Sequence, residues 1–237
     1  MNTVRKYKLM ISLHIPKAGG ASIRKVLQTK FKTSFLDDYD DIPLNKTESQ
    51  RIDDVKNFQN KNVSFRRLKL FVSKTKCIHG HFLAIKYKEF IPDDKVVFIS
   101  WFRDPLERLA SHYHYWQRAY DAETSAILHK KVVEQKWSFE AFCFSPELQN
   151  LHALFLKDFP LERFNFIGIT EYFSEDIHDL NRIYLGLHDL NIPYENMNKK
   201  KKSAYFSDRT FMSKLKLHHA LDYEIYNKAL KLRAERT

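Results

Sequence analysis

The sequence predicts an α/β protein: a single domain with a central parallel sheet flanked by helices. Three observations lead there. Short apolar runs alternate with segments of helical periodicity, the pattern of strand–helix–strand units. One run, Lys95–Trp101, is almost continuously apolar, as a strand covered on both faces must be. A length of 237 residues suits one domain, and such a chain buries enough surface to fold without a metal or a disulfide.

The elements follow in order. Lys8–His14 is the first expected strand, Ile15–Gly20 a loop, and a helix runs from about Ala21 to Lys30 with Ile23, Val26 and Leu27 on one face. Residues 37–67 are rich in Asp, Asn, Lys and Gln and read as a polar insertion within the single domain 1–237. Leu68–Val72 and Lys76–His79 are expected as short strands. Lys95–Trp101 ends at Arg103-Asp104-Pro105, and a helix continues to about Tyr120, with Pro105 in its first turn. Phe139–Phe144 reads as core. Ser145-Pro146 predicts a helix start with a serine cap. Phe164–Ile169 is a strand, and Ser174-Glu175-Asp176 opens a helix with acids in its first turn. Residues 186–208 form a loop holding four consecutive lysines, Lys199 to Lys202, and the last helix runs from about Asp208 to the end. No solenoid-type repeat is present.

Composition narrows the function classes. Apolar residues at 43% exclude a disordered chain, and only 5 Gly and 7 Pro exclude collagen-like and low-complexity classes. The 40 Lys+Arg against 29 Asp+Glu leave a net charge of +11, which favours anionic partners: nucleic acid, anionic lipid, acidic glycan or a phosphorylated cofactor. The two cysteines, Cys77 and Cys143, make neither a disulfide framework nor a four-thiolate zinc site and suggest a reducing compartment. Leu9–Leu13 is too short for a signal peptide core, and no window spans a bilayer. The expectation is a cytoplasmic protein without a transmembrane segment.

Three constellations carry chemistry. His14-Ile15-Pro16-Lys17-Ala18-Gly19-Gly20-Ala21-Ser22 lies between a strand and a helix and holds two of the five glycines. Glycines let backbone close around an anion, the helix start offers free N–H groups, Lys17 adds charge and Ser22 a hydroxyl. This is not the Walker pattern, because the lysine precedes the glycines. In the second, Arg103 stands at the carboxyl end of the strongest strand, where open α/β sheets bind ligands. Arg108, Ser111, His112 and Tyr115 follow on one helix face, so a guanidinium and a hydroxyl make a second oxyanion site. Two such sites point to a ligand with two separated anionic groups. The third is His79-Gly80-His81. Residues i and i+2 of a strand point the same way, which suits an acid–base pair or a metal pair; no third metal ligand is visible.

With these motifs assembled, the chain resembles the sulfotransferases that use 3'-phosphoadenosine 5'-phosphosulfate (PAPS), and within them the carbohydrate branch of the heparan sulfate 2-O-sulfotransferase type. Pro16–Ser22 is similar to that family's 5'-phosphosulfate loop, and Arg103–Tyr113 to its 3'-phosphate element. Cys77–Phe82, Gln149-Asn150-Leu151 and Phe166–Glu171 add to the likeness. Ala18 and Ala21 stand where the family commonly has threonine. The resemblance implies a P-loop-like architecture and transfer of a sulfuryl group to a hydroxyl, that of a glycan or glycolipid, by in-line displacement without a metal. It implies that Pro16, Lys17, Ala18, Gly19, Gly20, Ala21 and Ser22 hold the 5' group, Lys17 also stabilising the leaving oxygen. Arg103 and Ser111 then hold the 3' phosphate, and Lys199 and Lys200 close over the nucleotide. One of the two histidines is the general base; His81 is favoured, with His79 positioning the acceptor or sharing the role. The expected setting is a bacterial cytoplasm.

Trp101, Tyr113, Tyr115 and Trp116 are candidates to stack on adenine or sugar, or else core residues; Glu140 and Glu171 are candidates to orient a catalytic group. Two other classes compete: an ATP-dependent kinase, whose metal ligand would have to be Asp104, and a basic nucleic-acid-binding module. Asp104, between Arg103 and Pro105, reads instead as a helix-start residue. The informative basic residues sit at strand ends beside glycines rather than spread along a face, so no nucleic-acid partner is expected.

Overall fold

The structure, a computed structural model, describes residues 4–62, 74–88, 93–190 and 207–236. Its centre is a five-stranded, wholly parallel sheet. The strands are β1 (Leu9–Leu13), β2 (Phe35–Asp38), β3 (Cys77–Gly80), β4 (Val96–Phe102) and β5 (Phe166–Ile169), in the order β2-β3-β1-β4-β5. Every residue of β1 and β4 is buried, which explains why these two read as unbroken apolar runs. Leu13 pairs with Gly80 on one side and Ser100 on the other, so the loops that leave β1, β3 and β4 emerge close together. The chain leaves β1 toward the β3 side and returns on the opposite side at β4. That reversal is the switch point at which parallel sheets open a crevice.

Helix α1 (Gly20–Phe31) buries Ile23, Val26 and Leu27, the predicted face. The 37–67 segment, expected as a polar insertion, begins inside edge strand β2 and carries helix α2 (Glu48–Asn62). Its polarity reflects exposure: Val55 is the one buried apolar residue of α2, and ion pairs Lys46–Asp54 and Lys157–Glu48 hold the helix down. The expected strand Leu68–Val72 lies outside the described residues, as do Lys199 to Lys202.

Helix α3 (Pro105–Ala119) starts at Asp104, whose carboxylate accepts from the amides of Leu106 and Glu107. Asp104 is thus a helix cap, as its sequence context suggests. Helices α4 (Ile127–Glu134) and α5 (Phe139–Cys143) pack with α3 in a second apolar cluster that includes Leu109, Trp116, Val132, Phe142 and Leu215. Ser145-Pro146 opens only a single 3-10 turn: the Ser145 hydroxyl donates back to the Phe142 carbonyl at 3.2 Å and caps nothing forward. The helix proper, α6, spans Leu151–Phe155.

Helix α7 (Phe173–Leu180) starts one residue before Ser174, so that serine is not its cap. Of the predicted acids, Asp176 turns back to accept from the Ile169 amide at 2.7 Å and from Arg233 at 2.8 Å. The last predicted helix is two, α8 (Arg209–His218) and α9 (Ala220–Glu235), broken at His219. Gln149 and Asn150 clamp the break. Gln149 Nε2 donates to the His218 carbonyl at 2.8 Å, and the Asn150 amide to His219 Nδ1 at 3.2 Å. A sequence pattern cannot foresee this, because the partners are about seventy residues apart. No helix among the described residues is long and apolar enough to cross a membrane.

Candidate active site

Between β1 and α1 the chain turns in residues 14–19. Lys17 (φ 67) and Gly19 (φ 89) both adopt left-handed backbone. A non-glycine residue there is uncommon, and such strain collects at functional loops. Gly20 has a different necessity: a Cβ would lie 1.8 Å from the His14 ring. The first turn of α1 has no side-chain cap among the described residues and no acid, so its amides and positive dipole end face the loop free for an anion. Ser22 is buried in that turn; Pro16 and Ala18 are buried beneath the loop, and Ala21 is exposed. A small cleft here is lined by His14, Ala18, Gly20, His79 and Trp101 among others.

Arg103, at the end of β4, joins the two anion motifs. Its Nη1 donates to the Lys17 carbonyl at 3.2 Å, holding the strained loop, and its Nη2 reaches Glu107 at 3.4 Å. Its Nε is buried with no hydrogen-bond partner among the described residues and lies 3.9 Å from Glu171. Glu171 also accepts from the Asp104 amide at 3.3 Å and from the Tyr226 hydroxyl at 3.1 Å, so it braces the start of α3. Glu140 is exposed on α5, away from these contacts.

Helix α3 divides its predicted face. Tyr115 stays half-exposed and lies under the Lys17 ammonium, 3.8 Å from ring centre to Nζ, so the Ser111–Tyr115 face runs past the loop. Arg108 and His112 turn inward and are buried. Trp101, Tyr113 and Trp116 are core: Trp101 is 3% exposed, and the Tyr113 hydroxyl donates to the Trp137 carbonyl. Burial pulls the Lys17 ammonium down to about 8, with Arg103 and Arg118 adding repulsion.

The opposite wall is aromatic and uncharged. His79, 1% exposed, is tied through Nδ1 to the Ser12 hydroxyl at 2.8 Å. His81 is partly exposed beyond the strand end. Between them sits His14, stacked on His79 at 5.2 Å and tilted on His81 at 4.3 Å. Tyr39 hydrogen-bonds His14 Nδ1 at 2.8 Å and sets its ring edge-on to His81 at 4.7 Å. Burial first, then Lys17, brings His81 down to about 4; burial and His81 bring His79 to about 3; His14 falls well below its ordinary value for the same reasons. In this setting all three resist protonation.

Sequence reasoning singled out Lys17, the glycines, Arg103 and the His79–His81 pair, and the structure gathers them at the carboxyl ends of β1, β3 and β4, with Gly20 and His79 lining the cleft itself. Sequence reasoning named His14 only as the first residue of the glycine-loop motif, with no role of its own, and missed Tyr39. His14 had a signal, since it directly follows β1 and opens the glycine loop. Tyr39 had none, standing in a polar stretch whose neighbours are set by sheet order.

No curated protein matches the chain. The sequence model of one family, described as Sulfotransferase family, matches residues 1–229. With that match over nearly the whole chain, on a parallel sheet whose glycine loop and arginine-led helix meet at its switch point, this chain belongs to the sulfotransferase family.

Proposed function

We propose that this sulfotransferase takes its sulfuryl group from PAPS and delivers it to a hydroxyl, of a glycan or glycolipid, with His81 as general base and Lys17 at the leaving oxygen. The observation that carries the reading is the Arg103–Lys17 contact, because it couples two anion-binding elements into one cleft. A donor with a 5' and a 3' anionic group matches two coupled sites; a nucleotide with one does not.

The residues fit such a donor. The uncapped first turn of α1, with no acid in it, suits the 5' group, and the Arg103 guanidinium, whose Nε has no hydrogen-bond partner among the described residues and stands 3.9 Å from Glu171, suits the 3' phosphate together with Ser111. Bound there, the donor supplies the sulfuryl group and a phosphate leaving group. The chain's own work is positioning and electrostatics. Lys17 meets negative charge at the departing oxygen. His81 takes the acceptor proton; His79, already engaged by Ser12, is the poorer candidate and acts as its support. Asp104 is spent on capping α3, which leaves a kinase reading without its metal ligand. Both cysteines are buried and free, in keeping with a cytoplasmic setting.

The test is calorimetric titration with adenosine 3',5'-bisphosphate against 5'-AMP. Loss of a charge-assisted phosphate contact weakens binding by roughly ten- to a hundredfold, so the bisphosphate should bind at least tenfold more tightly. Equal affinities would overturn the two-site reading.

A further inference from the structure

The histidine wall contains two residues that the reaction outlined above does not use, His14 and Tyr39. We propose that they are positioning residues: the hydrogen-bonded pair boxes the His81 ring, so that the base enters the cleft in one orientation and shielded from water. The role rests on His81 being the base.

The geometry supports it from three directions. First, His81 is touched on two sides, by the tilted His14 ring at 4.3 Å and the edge of Tyr39 at 4.7 Å, and those two rings are bonded to each other at 2.8 Å. Neither wall of the box moves without the other. Second, each half is anchored by backbone. His14 follows β1 directly, its amide donating to the Gly80 carbonyl at 2.9 Å, and its ring fills the space that Gly20 leaves empty. Tyr39 follows Asp38 at the end of β2. Third, Asp38 is held by a buried cluster: Lys86 Nζ donates to both its oxygens at 3.0 and 2.8 Å, and the Tyr87 hydroxyl to one of them at 2.6 Å. Lys86 lies just past His81, so both ends of the His81 segment are tied to the strand that carries Tyr39.

The charged and titratable groups around His81 are Lys17 from the glycine loop, His14 at the end of β1, His79 in β3, Tyr39 after β2, and His112 from α3. None is an acid. Dehydration is therefore the main reason His81 holds its proton so weakly, and dehydration is what the box supplies. Opening it admits water, and the His81 midpoint must rise toward the ordinary histidine value.

The experiment is an NMR titration of the histidine rings in the full chain, with H81Q assigning the His81 signal and needing no acceptor. In Tyr39→Ala the His81 midpoint should rise by about one unit or more. In Tyr39→Phe, which keeps the ring and loses only the hydroxyl, it should stay within about 0.3 unit of the parent. Tyr39→Gln, which keeps bulk at the position but draws water to it, decides the matter should the alanine variant not fold; its midpoint should rise as well. A midpoint unmoved in whichever of the alanine and glutamine variants folds overturns the box, and so does a phenylalanine variant that shifts as far as they do. Absence of bisphosphate binding in calorimetry would instead remove the function reading while leaving this titration to stand or fall alone.

Discussion

The two walls of the cleft are built on opposite principles. On one side stand the cations, Lys17 over the Tyr115 ring and Arg103 between the Lys17 carbonyl, Glu107 and Glu171, beside an uncapped helix start. On the β3 side, three histidines and a tyrosine, packed ring on ring, carry no charge near neutral pH. The difference is causal as well as spatial, because Lys17 is one of the reasons His81 and His14 resist protonation. The cations that would attract a sulfated donor also keep the neighbouring base free to accept a proton. A second contrast lies in the sequence record. The charged wall is local, one glycine loop leading into α1 and one arginine after β4 leading into α3. The neutral wall draws its four rings from three strand ends, His14 after β1, Tyr39 after β2 and the pair His79 and His81 at β3.

The sharpest way to break the comparison is to strip the charged wall alone. Lys17→Ala and Arg103→Ala should each weaken adenosine 3',5'-bisphosphate by about a hundredfold or more, the effect of removing one partner from a close charge pair. His81→Ala should leave calorimetric affinity within a fewfold of the parent. If His81→Ala lost binding as badly, the walls would not be separable.

Next in size is the anchor of the neutral wall. Lys86→Met leaves Asp38 buried with only the Tyr87 hydroxyl and should cost about 3 kcal/mol in denaturant unfolding. A variant as stable as the parent would show that Asp38 is hydrated and the anchor loose. Gly20→Ala touches both walls at once, since its methyl must displace the His14 ring. It should cost about 2 kcal/mol by overpacking and weaken bisphosphate binding as well, which thermal shift with and without ligand resolves. Stability intact with binding lost would mean the ring yields and only the loop suffers.

The smallest effect per group is acid sensitivity. His79 and the fully buried His152 are held down to about 3 and about 4, burial being the first cause of each. Their folded values lie below the unfolded one, so stability is fully present above about pH 6.5 and is lost as pH falls toward those values. At pH 5.5 each should cost about 1.4 kcal/mol, one unit below the ordinary histidine value. Melting temperatures at pH 7.5 and 5.5 check this, and a His152→Leu variant should flatten the slope; an unchanged slope would assign the acid sensitivity elsewhere.

The charged wall was legible because its chemistry is consecutive in sequence: a glycine pair opening a helix, and an arginine closing an apolar strand. Helix boundaries inside apolar stretches were less so. Ser145 looked like a cap and instead finishes the turn behind it, and the C-terminal helix broke at His219 because Asn150, far away in sequence, binds that imidazole. The polar 37–67 stretch hid an edge strand and a helix because exposed elements need few apolar residues, and periodicity is the signal that reading depends on.

What the sequence determined by itself is the parallel α/β class, the glycine loop after β1, the arginine after β4 and the histidine pair at the end of β3, because each depends on residues close together in the chain. What only the tertiary structure decided is which strands are neighbours. Placing β1 between β3 and β4 set Arg103 on the Lys17 carbonyl, put His14 beside His81 and carried Tyr39 in from β2. Strand order is a matter of long-range packing, which no local pattern encodes. The two-walled cleft exists only once that order is chosen.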